Sequence, residues 1–196
     1  PEHLLGIEAR DTVPFDPEKS LALLREAGYG PARPLELTWK TSSDPFRLRL
    51  ATVMQQQLAN VGIRVRIKSY DFGTFFGDIK TGKFQLSRLT GVGLKTADTF
   101  RYIFHSDSIP PGGANRGRYR SLKADRLIES AENEADIDAQ LILYRQLQEQ
   151  LLHDLPYVPL WYEDQLAAYR PDTIDGYVPR RDGSYDGLIG LQQHRE

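Results

Sequence analysis

The chain has 196 residues, 40% hydrophobic and 27% charged, with 25 basic against 27 acidic side chains and a formal net charge of -2. That length supports one ample core without excluding two small domains, and the balanced charge gives no global reason to expect a nucleic-acid partner. The lack of cysteine excludes disulfides, cysteine nucleophiles and thiolate metal sites, and no run approaches the roughly 20 apolar residues of a membrane-crossing helix.

The opening stretch, "PEHLLGIEARDTVPFDPEKS", has neither an initiator Met nor a basic, hydrophobic leader. It reads as a segment of something longer, or as a processed chain. In "FDPEKSLALLREAGYG" Asp16 suits an N-cap, Pro17 the first helical position and Gly28 a C-terminal stop. Leu21, Leu24 and Gly28 share one face of that helix. Leu35, Leu37 and Trp39 then alternate with Glu36 and Thr38, the pattern of a half-buried strand.

The logic repeats. Asp44-Pro45 opens a helix with apolar positions Phe46, Leu50, Val53, Met54, Leu58 and Val61, ended by Gly62. Ile63, Val65 and Ile67 alternate with Arg64, Arg66 and Lys68 as a second strand. Asp71 can cap a third helix bearing Phe72, Phe75, Phe76 and Ile79, stopped by Gly82. A third strand is predicted from Phe84 to Leu89, followed by a loop holding Gly91 and Gly93. Asp98 can cap the next helix, near Thr99–His105, where His105 would be a favourable terminal cation.

"SDSIPPGGANRGRYRS" follows as a structured loop anchored by Ile109 and Tyr119. Helices are predicted at Leu122–Glu132 and Ile137–His153, the second with a stripe of Ile137, Leu141, Tyr144, Leu147 and Leu151. "LPYVPLWYEDQLAAYRP" reads as two short strands, with Pro156 and Pro159 pointing to edge positions or irregularity. The tail is turn-rich. Alternating helices and strands argue for an α/β fold, a largely parallel or mixed sheet flanked by helices. Ligands on such sheets usually sit beyond the carboxyl ends of the strands.

Motifs for chemistry are sparse. "TGVGLKTAD" contains G-x-G and Lys95, but lacks the third glycine of a dinucleotide fingerprint and the spacing of a P-loop. His3, His105, His153 and His194 are scattered without metal-ligand spacing, and no G-x-S-x-G nucleophile elbow occurs. Neither a cofactor nor an enzyme is expected. Arg116, Arg118 and Arg120 around Tyr119 could clamp an acidic ligand or a partner protein, or bond carbonyls of their own loop. Among the aromatics, Trp39 and Phe72 are expected to face a cleft, each being placed at or just beyond a strand's carboxyl end.

Five phrases in order carry a resemblance: "FDPEKSLALLREAGYG", the helix-strand unit "LATVMQQQLANVGIRVRIKSY", "DFGTFFGDIKTGKFQLSRLTGVG", "DTFRYIFHSDSIPPGGANRGRY" and "LYRQLQEQLLHDLPYVPLWY". Together they resemble the family 5 extracellular solute-binding proteins, the peptide, oligopeptide and nickel receptors of ABC importers. The resemblance implies the C-terminal lobe of a type II, cluster C periplasmic-binding-protein-like fold. It implies that residues 1–171 form this lobe and that residues 172–196 return towards an N-terminal lobe. It also implies a periplasmic or cell-surface location, a peptide-like or other small solute, permease subunits in the inner membrane as partners, and a monomeric full-length protein. The rival reading is a non-transport interaction or signalling module that reuses the fold.

Carried over position by position, the family's cleft-facing aromatic falls on Phe72 and its cleft loop on Thr90–Lys95. In peptide receptors this loop bears an aromatic, nearest here to Thr90 or Gly91. It also bears an aspartate that pairs with the ligand's α-amino group, nearest here to Gly93 or Leu94. No carboxylate lies between Ser87 and Asp98. Asp98 matches an acidic position ahead of the next helix, which it is expected to cap. The implied ligand-lining set is thus Trp39, Phe72, Thr90, Gly91, Gly93, Leu94 and Asp98. A charge-assisted bond to an ammonium contributes roughly 1.5–3 kcal/mol, so the missing acid argues against anchoring of a free peptide amino terminus in this loop.

Overall fold

Aspartates placed ahead of helices organise the first half of the chain. In a computed structural model, which describes residues 13–90, 96–161, 166–170, 172–180 and 184–193, Asp16 accepts the N–H of Lys19 at 2.8 Å and opens α1 (Pro17–Glu26). Asp44 does the same for α2 (Pro45–Ala59) through Arg47 at 2.9 Å. Asp71 opens α3 (Phe72–Lys80) through Thr74 at 3.0 Å. Each carboxylate satisfies a backbone donor that the helix leaves unpaired and meets the positive end of its dipole. Past the other ends, Gly28, Gly62 and Gly82 take positive φ of 82°, 82° and 74°, a left-handed conformation that costs glycine least.

Strands β1 (Leu35–Ser42) and β2 (Ile63–Tyr70) pair in parallel along their whole length, from Leu35 opposite Ile63 to Ser42 opposite Tyr70. The third, β3 (Leu86–Ser87), pairs in parallel with Trp39 and Lys40, giving the order β2-β1-β3. This register puts Leu37, Val65, Trp39, Ile67 and Leu86 on one face. There Trp39 and Val65 pack with Ala51 of α2, with Met54 and Leu58 closing the cluster. On the other face Lys40 reaches Asp78 of α3 at 2.6 Å, and Phe75 and Ile79 of α3 are wholly buried. The parallel sheet flanked by helices is the architecture the alternating sequence implies. The third strand is shorter than the predicted Phe84–Leu89. The Gln85 side chain accepts the Thr38 N–H at 2.8 Å, where a longer ladder would supply a backbone carbonyl.

The second half is helical: α4 (Asp98–Phe104), α5 (Leu122–Asn133, capped by Ser121) and α6 (Ile137–Asp154, capped by Asp136). Phe100 stacks on Tyr144 at 5.5 Å, and Arg101 grips Glu132 with Nη2 2.7 Å from Oε2. Ile128 of α5 and Leu147 of α6 are buried. Between α4 and α5 the loop closes on Asn115, which is wholly buried. Its Nδ2 donates to the carbonyls of His105 (3.1 Å) and Tyr119 (2.7 Å), and its Oδ1 accepts the Tyr119 N–H at 2.9 Å. His105 follows the end of α4, as expected, and is buried. Its Nδ1 accepts the Asp107 N–H at 3.1 Å, capping the next short turn, because the chain bends straight into that turn.

The described residues fall into two compact units, one drawn from Pro1–Leu89 and Phe100–Pro156, the other from Thr90–Thr99 and Tyr157–Glu196. In the second, β4 (Ile174–Asp175) pairs antiparallel with β5 (Gln192–Gln193). The two strands predicted within residues 155–171 do not form among the described residues. Pro156 and Pro159 have no N–H to give a ladder.

One polar contact ties the loop to α6 and titrates. The Tyr119 hydroxyl donates to Asp154 Oδ2 at 2.5 Å, and Gln150 donates to the same oxygen at 2.8 Å. The Tyr119 bond, with help from His153 and Gln150, holds the Asp154 carboxyl down to about 2, while burial and the Asp154 contact push the Tyr119 phenol up to about 12. A depressed acid stabilises the fold above its unfolded value near 3.8 and loses that contribution as pH falls towards 2. A raised phenol stabilises below 10.0 and loses its contribution as pH rises towards 12. Tyr119→Phe is therefore expected to melt below the wild type at pH 7, with the gap narrowing on both the acid and the alkaline side. Melting temperatures of the pair from pH 2 to 11 check this.

Candidate functional site at the carboxyl ends of the first two strands

Beyond Ser42 and Tyr70 the ladder continues for one more bond, Ser43 N–H to Tyr70 O at 2.8 Å. The chain then turns into α2 on one strand and α3 on the other. This places Ser42, Ser43, Asp44, Arg47 and Phe72 around an open depression of about 340 Å³. Its position past the carboxyl ends of parallel strands is where α/β sheets hold ligands.

Phe72 is 55% exposed despite its size. Its ring lies almost parallel to Phe76 (9°, centroids 5.7 Å apart), and the Arg47 guanidinium sits 5.7 Å from its centroid. Phe76 in turn carries Arg116 at 5.3 Å and Lys80 at 5.5 Å. Cations against aromatic faces contribute of order 0.5–1 kcal/mol when exposed, and more when desolvated. Arg47, Phe72, Phe76 and Arg116 thus hold one another in place. Asp71, bonded by the side chain and then the N–H of Thr74, has its carboxyl below the usual range, which keeps the α3 cap ionised.

Nη1 of Arg47 is buried and has no hydrogen-bond acceptor among the described residues. The Arg47 backbone N–H is bound to Asp44, so that carboxylate serves the helix cap. Sequence reasoning singled out Phe72 here but missed Arg47, Ser42 and Ser43. The available signal was the polar run "SSDPFR" directly after a strand.

The other expected site residues are placed as follows. Trp39 is 8% exposed and packs in the core against α2. It lies short of the strand's end because β1 runs on to Ser42. Thr90 and Asp98 are exposed and belong to the second unit. Asp98 stands in the first turn of α4 and receives a bond from the Thr96 hydroxyl at 3.2 Å. Gly91, Gly93 and Leu94 lie outside the described residues. Two of the clustered arginines engage their own chain: Arg116 lies on Phe76, and Arg118 donates to the Thr81 carbonyl at 3.1 Å. Among the described residues no three His, Asp or Glu gather to hold a metal, and no helix is long and apolar enough to cross a membrane.

The family model for bacterial extracellular solute-binding proteins, family 5 middle, matches residues 5–110, more than half of the chain. Over 184 residues the chain is 31% identical to di/tripeptide-binding protein 2 of Pseudomonas aeruginosa, covering 90% of this chain and 34% of that protein. It is 28% identical over 173 residues to the glutathione-binding protein GsiB of Salmonella typhi, covering 84% and 33%. Haemophilus influenzae OppA, solved with RPPGFSPFR, shares the fold with a TM-score of 0.78 at 22% identity, over 97% of this chain and 37% of that one. The chain spans about a third of the length of the curated relatives it matches. It belongs to the bacterial extracellular solute-binding proteins of family 5.

Proposed function

We propose that the chain forms one lobe of an ABC-importer receptor, closing with a second lobe around a peptide-like or other small solute and delivering it to membrane permease subunits. The observation that carries this reading is the depression beyond β1 and β2, which Phe72 lines with its ring 55% exposed while Phe75, one turn on, is wholly buried. An exposed aromatic in a concave site at this position is the apolar half of a ligand pocket. Relatives named for di/tripeptides and glutathione support a peptide-like solute. In this reading residues 1–171 are the C-terminal lobe, residues 172–196 run back to the other lobe, and the receptor works outside the cytoplasmic membrane without catalysis. Because Thr90–Lys95 carries no carboxylate, a solute's amino group is, in this reading, held elsewhere or absent.

Ligand that binds only the folded state raises stability as RT ln(1 + [L]/Kd), about 2.7 kcal/mol at a hundredfold excess over Kd. A pool of di- and tripeptides is thus expected to raise the melting temperature of the full gene product by several degrees. No shift with peptides, amino acids or sugars would remove the receptor reading.

A further inference from the structure

We propose that the flank of α3 facing the loop between α4 and α5 is a docking surface for an acidic segment of a partner protein, recognised by Arg116 and Lys80. The surface is separate from the depression. Phe72 lines the depression at the start of α3, Phe76 follows one turn on, and Lys80 ends the helix, about 12 Å from Phe72 at 1.5 Å per residue. The proposal therefore stands apart from the solute reading.

The Phe76 ring carries two cations, the Arg116 guanidinium 5.3 Å and the Lys80 ammonium 5.5 Å from its centroid. Arg118 joins them beyond the last turn. Its Nη2 donates to the Thr81 carbonyl at 3.1 Å, and its Nε lies so close over Gly82 that a Cβ there would come within 2.5 Å. The one carboxylate within α3, Asp78, is taken by Lys40 at 2.6 Å. None of the three cations has an ion-pair partner among the described residues. The chain as a whole is slightly acidic, at -2, so the cluster is a local feature.

The negative end of the α3 dipole accounts for Lys80 and Arg118. It leaves Arg116 unexplained. Nε of Arg116 is buried and has no acceptor among the described residues, and a buried donor left unpaired costs free energy that an incoming acceptor recovers. A carboxylate approaching a guanidinium side-on takes Nε and a neighbouring Nη together. A single acidic side chain can enter to reach a buried nitrogen, whereas a flat layer of lipid headgroups meets only the exposed cations around it. Lys80 and Arg118 then offer charge to the acids on either side.

The test uses the full gene product and a short oligoglutamate fused to a folded carrier protein, with oligoserine on the same carrier and phosphatidylglycerol vesicles as comparisons. Wild type is expected to bind oligoglutamate, more weakly as salt rises, and to ignore oligoserine. Replacing both groups, Arg116→Gln with Lys80→Gln, is expected to weaken binding at least about tenfold, the loss of one or more charge-assisted bonds. Arg66→Gln with Lys68→Gln removes the same charge from exposed positions of β2 and is expected to leave binding unchanged. Arg116→Lys keeps the charge without the fork and is expected to retain part of it, with an unchanged melting temperature showing that it is folded. A tripeptide pool in excess is expected not to displace the oligoglutamate. Displacement by the pool would place the oligoglutamate in the solute cleft and overturn the docking surface while leaving the cleft standing. No binding of oligoglutamate, equal losses in the two double variants, or capture by vesicles without binding of oligoglutamate also overturns it.

Discussion

Phe75→Ala is expected to lower the unfolding free energy by about 3–5 kcal/mol, the range for emptying a buried phenylalanine site. Phe72→Ala is expected to cost less, about 1–3 kcal/mol for its two ring contacts with Phe75 and Phe76, and to abolish ligand binding. The two residues sit one turn apart on α3 with ring centroids 6.3 Å apart, but they differ in burial. Phe75 is 0% exposed against the sheet, while Phe72 is 55% exposed beside the depression. Removing the first leaves a cavity that the packed layers of α3 and the sheet can only partly fill. Removing the second leaves a gap open to water. Urea midpoints and peptide thermal shifts on the two variants separate the roles. Equal destabilisation by both, with binding intact in Phe72→Ala, would mean that Phe72 is a packing residue.

The second large effect is at Asn115. Asn115→Ala is expected to cost about 3 kcal/mol, since it strands the buried His105 carbonyl and the part-buried Tyr119 carbonyl and N–H at roughly 1 kcal/mol each. The side chain joins His105 to Tyr119, the two ends of the loop between α4 and α5. Asn115→Asp is expected to be at least as harmful near neutral pH. A carboxylate keeps the bond from the Tyr119 N–H but turns oxygen towards two carbonyls where an NH₂ had donated. Denaturant titration checks both variants. Tyr119→Phe should compound the loss non-additively, because Tyr119 belongs to the same network.

Much of the fold could be read from short local rules. Asp16, Asp44 and Asp71 announce helices through their own side-chain geometry, and Gly28, Gly62 and Gly82 end them through a backbone conformation they tolerate best. Alternation at Leu35–Trp39 and Ile63–Ile67 fixes which residues share a face, and parallel pairing brings those faces together. What escaped was set by tertiary contact. The polar end of β1, Lys40–Ser42, pairs in register with Lys68–Tyr70. The strand therefore outruns its hydrophobic pattern, and Trp39 falls in the core instead of at a strand end. Arg47 reads as the polar side of an amphipathic helix until α3 brings Phe72 beneath it. Gln85 ends the β3 ladder with a side-chain oxygen, which no strand propensity encodes. His105 follows a helix as a terminal cation would, yet the sharp turn after it makes the ring an acceptor.

The most direct test of the receptor assignment is native mass spectrometry of the freshly purified full gene product, before and after incubation with the tripeptide pool. The expected result is a bound species of small-peptide mass, present on purification or gained from the pool, and lost in Phe72→Ala. A polypeptide that arrives bare and stays bare at a large excess of peptides would contradict the assignment and shift attention to protein contacts of the same fold.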